Sequence, residues 1–295
     1  MLISTSLSKD TASQYTRVWQ GFRDFCVHTL NREFIVKPEV IALYIAHLDI
    51  KKLQPSTIQS HLSAISFFSQ MNNMQDHTNS FNVEKIMKSL HRKNPSKDSR
   101  LPINQQLLNR IITILDNHCD SGYECAMYRA MFSLAYYALL RAGECTSSKH
   151  VLTRESVRRI SQGGKCYAIE VKFSSFKNSV NHGSAPPILQ IQERGGVTCP
   201  VKIIDHYLSI RHNGDGPIFI TAAGKSVSSK QFRDKIKSCM SFLSLDATFY
   251  NTHSFRIGRA TDMLDEGYNE AQIRASGRWQ SQAFLKYLRP HNIML

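Results

Sequence analysis

Apolar residues recur every three to four positions from Tyr15 to Leu90, and the pattern breaks only where a proline or a polar turn restarts it. That spacing lays them along one face of successive helices and leaves no room for a strand-rich fold in this part of the chain. Asp10 or Thr11 can cap a first helix whose inner face carries Tyr15, Trp19, Phe22 and Cys26. Pro38 suits the first position of a second, with Val40, Ile41, Tyr44, Ile45 and Leu48 inside. Pro55, Ser56 and Thr57 open a third over Ile58, Leu62, Ile65 and Phe68. Asn82 can cap a fourth that turns Val83, Ile86, Met87 and Leu90 inward and Lys85, Lys88, Arg92 and Lys93 outward. Four such helices on short turns make a small bundle. Lys51, Lys52, Ser60 and His61 are candidates for a face towards a polyanion.

The period is lost over residues 94–101, a polar stretch with one proline. The reading is therefore a helical domain over 1–94, a linker over 95–101 and a second domain over 102–295. Asn104 can cap a helix through Leu107, Ile111, Ile112 and Leu115. A longer one runs through Tyr128, Met131, Phe132, Ala135, Ala138 and Leu139 into Leu140-Arg141-Ala142-Gly143-Glu144. Beyond Ser147 the period changes to two. Tyr167, Ile169 and Val171 alternate, Pro187 to Ile191 forms a second extended run, and the polar segment between them carries Lys172 and Lys177. Pro200 starts a helix, Gly216 to Ile220 reads as a short strand, and Ser228 or Ser229 opens another helix. The fold class is mainly α with a small β-sheet.

The stretch from Asn251 to Pro290 carries the densest chemistry. Thr252 or Ser254 can cap a helix on whose first turn His253 and Arg256 share a face. A helix N-terminus favours an anion, and a His with an Arg there can clamp a phosphate. Gly258 would let another backbone come close. Asn269 can cap a short helix that Gly277 stops, and a further turn puts Phe284, Tyr287 and Leu288 on one side. Alone, an HxxR pair is usually a solvated surface pair and such a Tyr usually packs in a core.

With 37 Lys+Arg against 23 Asp+Glu, the chain carries a formal charge of +14 and attracts polyanions, nucleic acid first. Residues 1–100 hold 13 Lys+Arg and 8 Asp+Glu, so the excess lies in both halves. Seven cysteines without a CxxC or zinc spacing read as reduced thiols of an intracellular protein, with Cys26, Cys145 and Cys239 in the core. No signal-peptide core and no membrane-spanning run are visible.

Arg141 followed by Gly143 and Glu144, Lys177 in a hairpin, His253-Ser254-Phe255-Arg256, Gly277-Arg278-Trp279 and Tyr287 stand in this order along the second domain. The ordered set resembles the catalytic domain of the tyrosine recombinases, the phage-integrase family. The run from Gly277 to Tyr287 is most similar to the recombinases of eukaryotic DIRS-like and Ngaro-like retroelements. The resemblance implies a SAM-like core-binding domain in front of the catalytic domain and double-stranded DNA as partner. It also implies a tetrameric synapse of identical protomers and nuclear work in a eukaryote. It implies, too, a 3′-phosphotyrosyl intermediate formed without metal, ATP or other cofactor. Carried over, Tyr287 is the nucleophile, Arg141 and Arg256 hold phosphate oxygens, Lys177 protonates the leaving oxygen, and His253 takes or relays the tyrosine proton. Glu144 orients Arg141 or a neighbour.

Trp279 falls one residue short of the family's usual separation from the Tyr, and Arg278 matches it. Trp279 is preferred for that slot, because its indole N–H can donate to a phosphate while its ring packs. Two other readings share these residues: a type IB topoisomerase-like relaxing enzyme, and a silent DNA-binding derivative of a recombinase.

Overall fold

The structure is a computed structural model that describes residues 7–95, 98–174, 187–212 and 214–289. The chain divides into two compact units, Met1–Asp98 and Ser99–Leu295. The first holds helices α1 (Lys9–Asp24), α2 (Pro38–Ile50), α3 (Pro55–Met71) and α4 (Phe81–Lys93). Phe22, Ile41, Ile45, Ile58, Ile65 and Val83 are completely buried among them. Trp19 stacks on Phe68 with ring centroids 5.3 Å apart and meets Phe34 edge-on at 5.0 Å.

Pro38 and Pro55 stand at the first positions of α2 and α3, where their missing N–H has no intrahelical partner to lose. The caps of the other two differ from the sequence reading. Ser8 caps α1 in place of Asp10 or Thr11, because its hydroxyl accepts the Thr11 N–H at 3.2 Å. Ser80 stands at the start of α4, with Asn82 already inside the helix. A π-helical turn, Phe25–Thr29, extends α1 and buries Phe25 and Cys26. Lys51 and Lys52 are exposed at the end of α2, whereas His61 is half-buried and turned to the Tyr44 hydroxyl, 3.1 Å away.

In the second unit α5 (Gln105–Ile114) and α6 (Gly122–Tyr137) are followed by the single turn α7 (Ala142–Cys145). Strands β1 (Val157–Gln162), β2 (Lys165–Lys172) and β3 (Ile188–Gln192) form one antiparallel sheet in that order. Helices α8 (Pro200–Ile210), α9 (Ser229–Phe242), α10 (Thr252–Asp265) and α11 (Glu270–Gly277) complete it, with a 3-10 turn over Gln282–Tyr287. The second strand of the alternating region pairs Lys172 with Ile188. β1 has no counterpart in the sequence reading, since only Val157 of its six residues is buried and no alternation shows. The run Gly216 to Ile220 is not a ladder strand and makes only isolated bridges at Pro217 and Ile220. Side chains share in satisfying its backbone, beside backbone bonds such as that from the Ile218 N–H to the Leu152 carbonyl at 2.8 Å. The Ile218 carbonyl accepts from Tyr207 Oη and Arg211 Nε, both at 3.0 Å, and the Ile220 N–H donates to Tyr207 Oη at 3.2 Å.

α6 is buried on nearly every side and is the axis of the unit. α10 packs against it through Phe255, whose ring centroid lies 5.3 Å from that of Phe132, and meets Phe232 of α9 at 6.0 Å. Tyr136 on α6 donates to the Asp262 carboxylate on α10, which also accepts the Gln105 N–H at 2.7 Å. Gly258 lets α10 come against the chain before α5: a Cβ there would fall 1.8 Å from the Ile103 carbonyl oxygen. These contacts fix the start of α10, and with it His253 and Arg256.

Candidate active site

Arg141 stands where α6 hands over to α7. The helix ends at Tyr137, short of the sequence reading, because Leu139 takes a left-handed φ of 45°. The Leu140 N–H then returns to the Ala135 carbonyl at 3.0 Å, a closure of the Schellman kind. A left-handed non-glycine residue costs roughly 1–2 kcal/mol, so tertiary bonds must hold it. The Leu139 carbonyl supplies them, accepting from Arg256 and, at 3.2 Å, from Arg278.

Arg141 occupies the N-cap of α7. Its backbone N–H donates to Glu144 Oε2 at 2.9 Å and its guanidinium to Oε1 at 3.3 Å. The Arg141 side chain keeps 21% of its surface exposed while that of Glu144 keeps 1%, so the arginine reaches outward from a buried carboxylate.

α10 is capped by Asn251, not by Thr252 or Ser254. The Asn251 amide oxygen accepts the His253 N–H at 2.8 Å, and Ser254 Oγ takes the Asn251 N–H at 3.0 Å. Arg256 is fully buried one turn in. It donates to the Leu139 carbonyl and, at 2.9 Å, to that of Gly277, and its Nε has no partner among the described residues. Its guanidinium carbon lies 4.5 Å from the Trp279 ring centroid and 5.6 Å from that of Tyr287. Such contacts hold a cation over aromatic faces without consuming its donors.

Tyr287 ends the 3-10 turn and is half-buried, its hydroxyl 3.4 Å from His253 Nδ1 and its ring 5.3 Å from Trp279. Trp279 in turn lies directly on Gly277, where a Cβ would stand 1.6 Å from the indole. Arg141, Glu144, His253, Arg256, Trp279 and Tyr287 are thus joined through direct contacts or shared partners. Lys177 lies outside the described residues.

Arg278 has a place that its position beside Trp279 does not reveal. It is the left-handed C-cap of α11, and its side chain is 3% exposed. Its guanidinium donates to the Ala138 carbonyl at 3.1 Å, to that of Leu139 and to Glu144 Oε2 at 2.7 Å, and lies 3.6 Å from the Phe173 ring centroid. It faces the interior, whereas Trp279 faces Arg256 and Tyr287.

Three guanidinium groups therefore gather round one buried carboxylate. Burial first, then the neighbouring Arg141 and Arg278 cations, push the Arg256 guanidinium down to about 9, against the opposing pull of Glu144 and Tyr287. Burial, partly offset by Glu144, pushes Arg278 down as well. Cations held together in low dielectric repel one another, and an anion brought among them relieves that repulsion. The site suits a phosphate, with the Tyr287 hydroxyl beside it. Among the described residues no group of three or more His, Cys, Asp or Glu is arranged to hold a metal, and no helix is long and apolar enough to cross a membrane. All seven cysteines are free thiols, with Cys26, Cys145 and Cys239 in the core.

The sequence matches no protein-family model and no curated protein. Solved structures do match. The Tn1549 transposon integrase in complex with circular intermediate DNA aligns over 97% of this chain and 92% of its own at a TM-score of 0.61 and 11% identity. The XerH site-specific recombinase, in a post-cleavage complex with palindromic difH substrate, aligns over 94% and 75% at 0.64 and 11%. A lambda integrase dimer bound to a COC′ core site aligns over 98% and 74% at 0.61 and 14%. The fold is that of the tyrosine recombinases. At such identities the likeness rests on architecture, a helical unit followed by a unit of helices and a small sheet, and not on shared residues.

Proposed function

We propose that this chain is a site-specific DNA recombinase or integrase that cuts and rejoins DNA through a 3′-phosphotyrosyl intermediate. The observation that carries the reading is the Tyr287 hydroxyl, 3.4 Å from His253 Nδ1, beside the buried Arg256 and the outward-reaching Arg141. In this reading the Tyr287 oxygen attacks the scissile phosphorus. A tyrosyl O–P bond forms, the bond to the 5′ oxygen breaks, and His253 takes or relays the phenolic proton. Lys177 gives a proton to the departing 5′ oxygen. Arg141 and Arg256 hold the non-bridging oxygens, for which a planar guanidinium is better suited than an ammonium. Trp279 adds its indole N–H. The bond energy is kept in the phosphotyrosyl ester, so the reaction needs neither ATP nor metal, and attack by a 5′-hydroxyl of another strand completes recombination.

The run from Gly277 to Tyr287 supports a finer assignment to the retroelement recombinases of the DIRS-like and Ngaro-like kind, acting as a tetramer on DNA in a eukaryotic nucleus. The charge of +14 supports double-stranded DNA as partner, with affinity that falls steeply as salt rises.

The test is to incubate the purified full chain, in EDTA, with a randomised pool of nicked duplexes and to resolve protein–DNA adducts on a denaturing gel. The expected result is an adduct with the wild type and none with Tyr287→Phe. A strict requirement for a divalent metal would count against the mechanism. DNA binding without any adduct would identify a silent derivative. Relaxation of supercoils by a monomer, without strand exchange, would identify a type IB topoisomerase-like enzyme.

A further inference from the structure

We infer that Arg278 is a positioning residue that sets Arg141 and Arg256 in one fixed relation, and that it does not itself touch the phosphate. The inference rests on the proposed function for its catalytic consequence. It deepens that reading at a residue which the sequence pattern treats as a possible phosphate donor.

Arg278 reaches both arginines through shared partners. Towards Arg141 it binds the same carboxylate: Glu144 Oε2 takes the Arg278 guanidinium at 2.7 Å and the Arg141 N–H at 2.9 Å, while Oε1 takes the Arg141 guanidinium at 3.3 Å. The Arg278 backbone carbonyl also accepts from the Arg141 guanidinium at 3.3 Å. Towards Arg256 it shares the Leu139 carbonyl, and the Gly277 carbonyl next to it accepts from Arg256 at 2.9 Å. One residue at the end of α11 therefore ties α6, α7 and α10 together at the point where outward-reaching Arg141 and buried Arg256 meet.

Two further features fit this role. The terminal nitrogens of Arg278 are taken up by the carbonyls of Ala138, Leu139 and Ser276 and by Glu144, and Phe173 covers its face at 3.6 Å. Its side chain is 3% exposed, against 21% for Arg141, and although Arg256 is as deeply buried, its terminal nitrogens meet two carbonyls and no carboxylate among the described residues. The backbone also takes a left-handed φ of 55°, closing the end of α11 with the Trp279 N–H on the Arg274 carbonyl at 3.0 Å. That conformation lets the guanidinium turn back under the site while the next residue, Trp279, turns to Arg256 and Tyr287. A lysine cannot replace it, because a single ammonium does not span Glu144 and two carbonyls as a planar fork does.

The test uses the full chain and two readouts. The first needs no DNA: the guanidinium Nε–H signals of Arg141 and Arg256 by NMR, in wild type and Arg278→Lys. Positioning predicts that both signals shift and exchange faster with solvent in the variant while backbone amides of α9 stay in place. Unmoved Arg141 and Arg256 signals in a folded variant would overturn the inference. The second readout is the single-turnover rate of Tyr287-dependent adduct formation on the nicked pool. It is expected to fall about 100-fold in Arg278→Lys with unchanged DNA affinity, as a misplacement of about 1 Å does at such centres. A wild-type rate would overturn the inference, and so would lost binding at an unchanged rate of the bound form.

If Arg278→Lys does not fold, the wild type alone decides. Arg256 and Arg278 Nε–H should exchange in one cooperative step with the same denaturant dependence, and separate steps would overturn the inference. Absence of any wild-type adduct together with coupled guanidinium signals would remove the proposed function and leave the positioning geometry standing, so the two failures are distinguishable.

Discussion

The Tyr287 hydroxyl and Nδ1 of His253 lie 3.4 Å apart although 34 residues separate them in the chain. His253 is held at the start of α10 by the Asn251 cap, and Tyr287 arrives on the 3-10 turn that packs Phe284 into the cluster of Leu139, Ala260, Met263 and Ile273. The pair is thus built from a local cap and a distant packing contact, and the two can be perturbed separately.

Replacing His253 with Ala leaves the Asn251 cap intact, because the bond is made by the backbone N–H of that residue. Adduct formation should fall by about 10²–10⁴-fold, the usual weight of a positioned general base, with DNA affinity unchanged. Single-turnover kinetics on the nicked pool measure this. A wild-type rate would remove His253 from the proton path.

Glycines 258 and 277 separate stability from activity. Gly258→Ala drives a methyl into the Ile103 backbone, with 1.8 Å to its oxygen and 2.3 Å to its carbonyl carbon. The backbone cannot swing aside, so the variant should lose about 1–3 kcal/mol or more in urea unfolding. Gly277→Ala instead meets the Trp279 ring at 1.6 Å. The indole must then shift, which disturbs its contacts with Arg256 and Tyr287. Adduct formation should therefore drop at least about tenfold with a smaller loss of stability. Equal losses of stability in the two variants would contradict this division.

Glu144 is the one carboxylate shared by Arg141 and Arg278. Glu144→Gln leaves buried Arg278 without its counter-ion, and loss of one partner of a buried pair typically costs about 3–5 kcal/mol. Denaturant unfolding of the full chain should show that loss. A loss below about 1 kcal/mol, the range of an exposed pair, would mean that the interior at Arg278 is far more hydrated than its 3% exposure indicates.

In the helical unit, burial lowers the pKa of His61 below its ordinary value of 6.5. The folded state therefore prefers the neutral ring, which can accept the Tyr44 O–H at 3.1 Å. A depressed pKa gives stability that is complete above 6.5 and is lost as pH falls through the lower folded value. The thermal midpoint of this unit should decline on acidification below pH 6.5, and His61→Gln should flatten that slope. An unchanged slope in the variant would assign it to other groups.

Several elements are legible without coordinates. Pro38, Pro55 and Pro200 mark helix starts, and the apolar faces of α2 and α3 follow from spacing alone. His253 and Arg256 share a turn because they are three apart, and Asn269 caps α11 as its position suggests. β1 is not legible, since one buried residue in six leaves no periodic signal. Nor is the irregular path of Gly216 to Ile220, whose backbone is satisfied partly by the Tyr207 and Arg211 side chains and partly by the backbone at Leu152, Arg154 and Val227.

The residues alone specify the local features: helical period, proline starts and the order of Arg141, His253, Arg256, Trp279 and Tyr287. The period and the starts depend on neighbours within about four residues, the range over which helical faces and caps act, and the order is simply read along the chain. Packing across the unit sets the rest: Leu139 and Arg278 take left-handed backbones, Glu144 serves two arginines, and Arg278 turns inward while Trp279 turns to the tyrosine. Those choices are unfavourable locally. They hold because carbonyls and a carboxylate brought in from distant parts of the chain satisfy the buried guanidinium groups at the same time.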